Sequence, residues 1–157
     1  MNPIVYLETM VVSYLTGRPS RDLVVAAHQQ LTRDWWESSR DRYEVVASEL
    51  VVREAGAGDP GAAESRLAAL KGIPLLGASE PALALARRLV AAGAIPADAT
   101  EDALHIAIAV TNGADYLLTW NCRHLANAVM RQRIEDVCEA AGNRPVVICT
   151  PEELMEA

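Results

Sequence analysis

Hydrophobic and polar positions along the chain predict short strands separated by helices. Ile4 to Leu7 is a β-branched and aromatic run, the pattern of a buried strand. Thr9 to Leu15 reads as a short helix stopped near Gly17 and Pro19. Ser20 is placed to cap a long helix reaching about Arg40, with Leu23, Ala27, Leu31 and Trp35 in helical register. Tyr43 to Val46 predicts a second strand. Ser48 then caps a helix that ends at Gly56 and Gly58. Asp59-Pro60 opens another helix through Leu70, and Ile73 to Leu76 predicts a short third strand. Glu80 to Ala92 is an alanine-rich helix closed by Gly93. Asp98 and Glu101 have the spacing of a capping box for a helix to about Asn112. Tyr116 to Leu118 predicts a strand, Arg123 to Ala141 a helix ended by Gly142, and Val146 to Cys149 the last strand. A turn of helix over Pro151–Met155 follows. Strands alternating with helices imply a three-layer α/β/α fold with a central, mostly parallel sheet.

Length and composition narrow the class. The chain has 157 residues, enough for a single domain spanning 1–157. Apolar residues make up 51%, too many for intrinsic disorder. No apolar run approaches the ~18 residues of a membrane span. The opening MNPIVYLETM carries Glu8 early and lacks a basic stretch, so a secretory leader is not expected. Three cysteines, Cys122, Cys138 and Cys149, form no CxxC pair and suggest a reduced, cytoplasmic protein. The net charge of −7 excludes a protein that coats nucleic acid with its whole surface. A local basic path remains open. Arg18, Arg21, Arg53 and Arg123 each lie near a candidate site position, although a solvated charge is the plainer reading of any one of them.

In parallel sheets, ligands bind outside the carboxyl ends of the strands. Glu8 directly follows the first strand there, either as a dipole partner for the next helix or as a site residue. Glu54 falls near a helix C-terminus, where a carboxylate opposes the dipole by a few tenths to ~1 kcal/mol. That cost favours a functional reason. Asp102 enters the nearly apolar helix ALHIAIAV beside two acids that already supply the cap. A spare carboxylate entering such a helix suits a metal or cation. Asn121 and Thr119 follow the strand at Tyr116, where Asn also fits a turn or cap. Three carboxylates and an amide at one rim make an oxygen-only set suited to Mg²⁺ or Mn²⁺ and to phosphoryl transfer. No GxxxxGK[ST] loop is present to support nucleotide hydrolysis.

On these residues the chain resembles the PIN-domain ribonucleases, and within them toxins of the VapC type. IVYLETMVVSYL resembles the first strand with its acid at Glu8, followed by Thr9. SELVVREAGAGDP resembles the helix with the second acid at Glu54. DALHIAIAVTNGADYLLTWN resembles the third-acid helix and following strand, giving Asp102, Thr119 and Asn121. The chain departs from the pattern twice: Glu8 stands where the family usually has Asp, and Asn121 where it usually has a fourth acid. The site then has three formal negatives instead of four. The resemblance implies a Mg²⁺- or Mn²⁺-dependent endoribonuclease acting on RNA, with Glu8, Glu54, Asp102 and Asn121 as metal ligands and Thr119 beside them. It also implies a homodimer and a partner antitoxin that offers a basic side chain. The alternative is a catalytically weak module of the same fold that binds RNA or a protein partner.

Other residues admit plainer readings. His105 lies one turn after Asp102 and could reach its carboxylate, but a packed or surface histidine is the commoner case. Cys122 and His124 have no second pair to make a zinc site. Trp120 suits packing against the sheet better than stacking a base. One of Trp35 and Trp36 is free to mark a dimer or partner surface.

Overall fold

The computed structural model describes residues 1–155. Five strands form one sheet: β1 (Ile4–Leu7), β2 (Glu44–Ser48), β3 (Leu75–Leu76), β4 (Tyr116–Leu118) and β5 (Val147–Cys149). Their order is β3-β2-β1-β4-β5, and every pairing is parallel, so the sheet is wholly parallel. The helices are α1 (Thr9–Thr16), α2 (Leu23–Ser38), α3 (Glu49–Ala55), α4 (Pro60–Leu70), α5 (Glu80–Ala91), α6 (Thr100–Thr111) and α7 (Ala128–Ala140). Helix α1 packs on α2, α3 and α4, whereas α5 packs on α6 and α7. The three-layer α/β/α architecture expected from the alternation is therefore the one observed.

The central position of β1 follows from its sequence. Val5, Tyr6 and Leu7 are all buried, as a strand covered on both faces requires. From β1 the chain first builds outward through β2 and β3. It then returns to the other side of β1 as β4 and β5. The direction of winding reverses between β1 and β4, and a crevice opens at such a point beyond the carboxyl ends of the two strands.

Three helix starts differ from expectation. Asp22, not Ser20, caps α2: its Oδ1 accepts the Val25 N–H at 3.0 Å, while Ser20 Oγ accepts the Asp22 N–H. Helix α6 begins after Ala99 with no side-chain cap, so the Asp98/Glu101 capping box does not form. Helix α7 begins at Ala128 under an Asn127 cap, not at Arg123. The delay has a local cause. Asn121 Oδ1 accepts the N–H groups of Arg123 (3.2 Å) and His124 (3.1 Å) and holds those residues in a turn. Trp35 is fully buried, and Trp36 is half-buried with the Arg40 guanidinium 3.8 Å over its ring, so neither indole is a bare surface ring.

At the opposite end of the sheet, Asp115 ties the starts of β1 and β4 together. Its Oδ2 accepts the Ile4 N–H at 2.8 Å and its Oδ1 accepts from Arg144 at 3.0 Å. The Ile4 N–H, then the Arg144 hydrogen bond and charge, hold this carboxyl below the usual Asp range. A lowered folded pKa contributes stability that is complete above the unfolded value of about 3.9 and is lost as pH falls through the folded one. Urea unfolding of Asp115→Asn between about pH 5 and pH 2 is therefore expected to lose less stability than the parent over the same range. Equal losses would remove Asp115 from the acid limb.

Candidate functional site

Four elements meet at the crevice between β1 and β4. Glu8 leaves the end of β1, and its own N–H donates to the Leu118 carbonyl at 3.0 Å, fixing it to the end of β4. Its side chain is 5% exposed. One oxygen, Oε2, caps α1 by accepting the Met10 N–H at 3.1 Å; the other, Oε1, accepts the Thr119 hydroxyl at 2.6 Å. Glu8 is thus both helix cap and rim acid. Thr119 is fully buried and its Oγ1 also accepts the Asn121 N–H at 2.9 Å, so the β4 rim residue has one rotamer that satisfies both groups.

Glu54 reaches the same place from the last turn of α3. Its Oε1 accepts the Thr9 hydroxyl at 2.5 Å and faces His105 Nε2 at 2.7 Å. His105 is 1% exposed in α6. Its Nδ1 lies 2.7 Å from the Tyr6 hydroxyl, which lies 2.8 Å from Ser48 Oγ. With Glu54 ionised, Nε2 carries the hydrogen in either form of the ring. Nδ1, the Tyr6 hydroxyl and Ser48 Oγ continue the row. Ser48 Oγ in turn accepts the Val51 N–H and starts the helix that carries Glu54.

Ligand atoms of Glu8, Glu54 and His105 all lie within 4.8 Å of one another. The crowding is visible in the titration of the acids. Burial pushes the Glu8 carboxyl above the usual range, against the opposing pull of His105, Thr119 and the Met10 N–H, and the Glu54 charge adds to the rise. Burial also acts on Glu54, but the His105 hydrogen bond and charge, with Thr9, outweigh it and hold that carboxyl below the usual range. One acid of the pair is thus primed to ionise, and the other is costly to ionise without a further positive charge.

The remaining sequence candidates stand differently. Asp102, in the first turn of α6, is one-fifth exposed and its Oδ2 lies 2.8 Å from His124 Nδ1. His105 pairs with Glu54 and not with Asp102. Asn121 spends its amide oxygen on the Arg123 and His124 N–H groups. The structure therefore brings together Glu8, Glu54 and Thr119, sets Asp102 on an adjoining histidine and turns the Asn121 oxygen into its own loop. Sequence reasoning gave little weight to His105, Tyr6 and Ser48; the packed histidine it favoured for His105 is observed, with Glu54 and not Asp102 as its acid. The available signal was a single histidine in the otherwise apolar stretch ALHIAIAV.

The donor set fits a hard divalent cation in part. Each Glu8 oxygen takes one hydrogen bond, and a carboxylate oxygen has room for a second partner. Glu54 also has a side-chain hydrogen bond with Glu101 of α6, which adds to the pull on its carboxyl. Two carboxylates with water are a sufficient protein contribution for Mg²⁺ or Mn²⁺. Both nitrogens of His105 already face protein partners, so as built the ring holds Glu54 in place and is not itself a ligand. Among the described residues no helix is long and apolar enough to cross a membrane.

No protein-family model matches the chain, and no curated protein is significantly similar to it in sequence. Among solved structures, the chain is similar in fold to VapBC2 from Rickettsia felis, seen in a crystal structure bound to a DNA fragment from their promoter. The TM-score is 0.60, with 16% identity, over 94% of this chain and 98% of that chain. At that identity the likeness is one of fold.

Proposed function

We propose that residues 1–157 act as a single domain that hydrolyses RNA phosphodiester bonds with Mg²⁺ or Mn²⁺, as the toxin of a toxin–antitoxin pair. The observation that carries this reading is the meeting of Glu8 and Glu54 at the reversal point of the sheet, with ligand atoms within 4.8 Å of one another. The fold likeness to VapBC2 and the resemblance to VapC-type toxins point the same way.

Glu8 and Glu54 would hold the ion, and Asp102 would join on releasing His124. Thr119 fixes the Glu8 rotamer; Thr9 and His105 Nε2–H fix that of Glu54. Asn121 shapes the turn below them. When bound, the cation neutralises the scissile phosphate and lowers the pKa of attacking water. The protein's part is to orient two carboxylates in a buried crevice, with Glu54 held ionised and Glu8 left to ionise with the cation. The net charge of −7 suits an antitoxin that presents a basic side chain to this crevice. A homodimer follows from the resemblance alone. The three free thiols, of which only Cys122 is exposed, are in keeping with a cytoplasmic location.

One observation favours the second reading, a catalytically weak module that binds RNA or a protein. His105 and His124 already partner Glu54 and Asp102. The test is incubation of the purified protein with a pool of cellular RNA in Mn²⁺ or Mg²⁺. The proposal expects defined fragments that EDTA abolishes. Intact RNA with both ions, together with RNA or partner binding, would favour the module instead.

A further inference from the structure

The rim beside Glu8 carries an aromatic group that the proposed chemistry leaves unused. Trp120 follows Thr119 directly and is 5% exposed. His28 of α2 lies flat on it, with ring centroids 4.0 Å apart and planes 10° from parallel. Tyr14 of α1 stands beside this pair, 6.5 Å from His28 and 6.4 Å from Trp120, tilted 26° and 27°. The stack is pinned from below. Trp120 Nε1–H donates to Thr32 Oγ1 at 2.7 Å, and that hydroxyl donates to the His28 carbonyl at 2.6 Å. The indole is therefore fully used, as packing, while His28 and Tyr14 are half-buried.

The outer two rings look unfinished. Neither the His28 ring nitrogens nor the Tyr14 hydroxyl has a hydrogen-bond partner among the described residues. These polar groups are not among the buried unpaired atoms, so they reach solvent and can be offered to a ligand. Tyr14 is also close to the centre: it is on the helix that Glu8 caps, and burial first, then nearby acids including Glu8, raise its hydroxyl above the usual range.

Resting on the RNA-hydrolase reading, we propose that His28 and Tyr14 form a stacking subsite for one base of single-stranded RNA next to the Glu8–Glu54 centre. The base would stack against the partly exposed His28 ring, within reach of the Tyr14 hydroxyl. Charge supplies the reason for recognition through a base face. A chain at −7 gains little from general phosphate attraction, so its hold on RNA must come from contacts that do not depend on net charge. Base stacking on a ring, worth ~1–3 kcal/mol per base, is such a contact and tolerates any sequence.

The test uses the full chain carrying Glu54→Gln, so that RNA stays intact, and the RNA that the parent cleaves. A single abasic residue is walked through that RNA and affinity is read by fluorescence anisotropy. One position near the cleaved bond is expected to lose about five- to a hundredfold, the stacking energy at 1.4 kcal/mol per tenfold. Adding His28→Ala should weaken the intact RNA by the same factor and abolish the sensitivity to that position. Adding His28→Phe should retain affinity and sensitivity, which a folding defect would not explain. Equal sensitivity in the His28→Ala protein, or no sensitive position at all, overturns the subsite while leaving the hydrolase reading intact. Failure of the parent to cleave or bind any RNA overturns both.

Discussion

Glu54→Gln is expected to reduce RNA cleavage by more than about a hundredfold while the protein stays folded, with a modest loss of the stability that the lowered carboxyl contributes. The expectation rests on which oxygen does which task. Glu54 Oε1 accepts the Thr9 hydroxyl and His105 Nε2–H. A glutamine keeps that oxygen as an acceptor and places its NH₂ where Oε2 was, so the packing survives and the charge does not. Loss of a group that merely orients a metal ligand typically costs 10- to 100-fold, and loss of the ligand itself should cost more. The check is a time course on the cleaved RNA beside a melting curve. Retained cleavage would remove Glu54 from the site; a large fall in Tm would mean that the substitution had tested the fold instead.

The second large effect concerns Glu8 and heat. Saturating Mn²⁺ is expected to raise the Tm of the parent by roughly 5–10 °C at neutral pH. Binding at a hundred times Kd stabilises by about 2.7 kcal/mol, and a domain of this size shifts by about 2–4 °C per kcal/mol. Glu8→Gln should show almost none of this shift. The sign of the pH dependence follows from the raised Glu8 carboxyl, which burial, its main cause, makes costly to ionise. Above its folded pKa the metal-free protein carries that cost. As pH falls through the raised value the cost disappears, so Glu8 alone makes the metal-free parent more stable on mild acidification, opposite to the contribution of Asp115. Protons compete with the cation for the same carboxylate, so the Mn²⁺ shift should shrink over that interval. Scanning melts with and without Mn²⁺ across mildly acid to neutral pH measure both parts. An equal Mn²⁺ shift in Glu8→Gln would place the ion elsewhere.

Much of this architecture was legible in local sequence. The strand at Ile4–Leu7 is announced by β-branched and aromatic residues without alternation, and its burial on both faces is the physical reason. The Ser48 and Asp59 caps and the Glu54 carboxylate at an unfavourable helix end were equally visible, because each obeys a rule confined to a few residues. What escaped was set by distant partners. His105 finds Glu54 fifty-one positions away and Tyr6 ninety-nine away, so nothing near it in sequence marks the row from Ser48 to Glu54. The start of α7 was misplaced because the Asn121 side chain competes locally for the N–H groups of Arg123 and His124. The α6 cap was misplaced because the spacing of Asp98 and Glu101 is necessary for a capping box and not sufficient. Trp120 was correctly read as packing; the rings that cover and flank it come from two other helices, which no spacing rule joins.

The most direct test of the central claim is calorimetric titration of Mn²⁺ into the purified protein, beside the Glu8→Gln and Glu54→Gln variants. The account predicts a binding isotherm for the parent that both variants lose while still folded. No heat of binding in the parent at millimolar Mn²⁺, or an isotherm unchanged in the two variants, would contradict it.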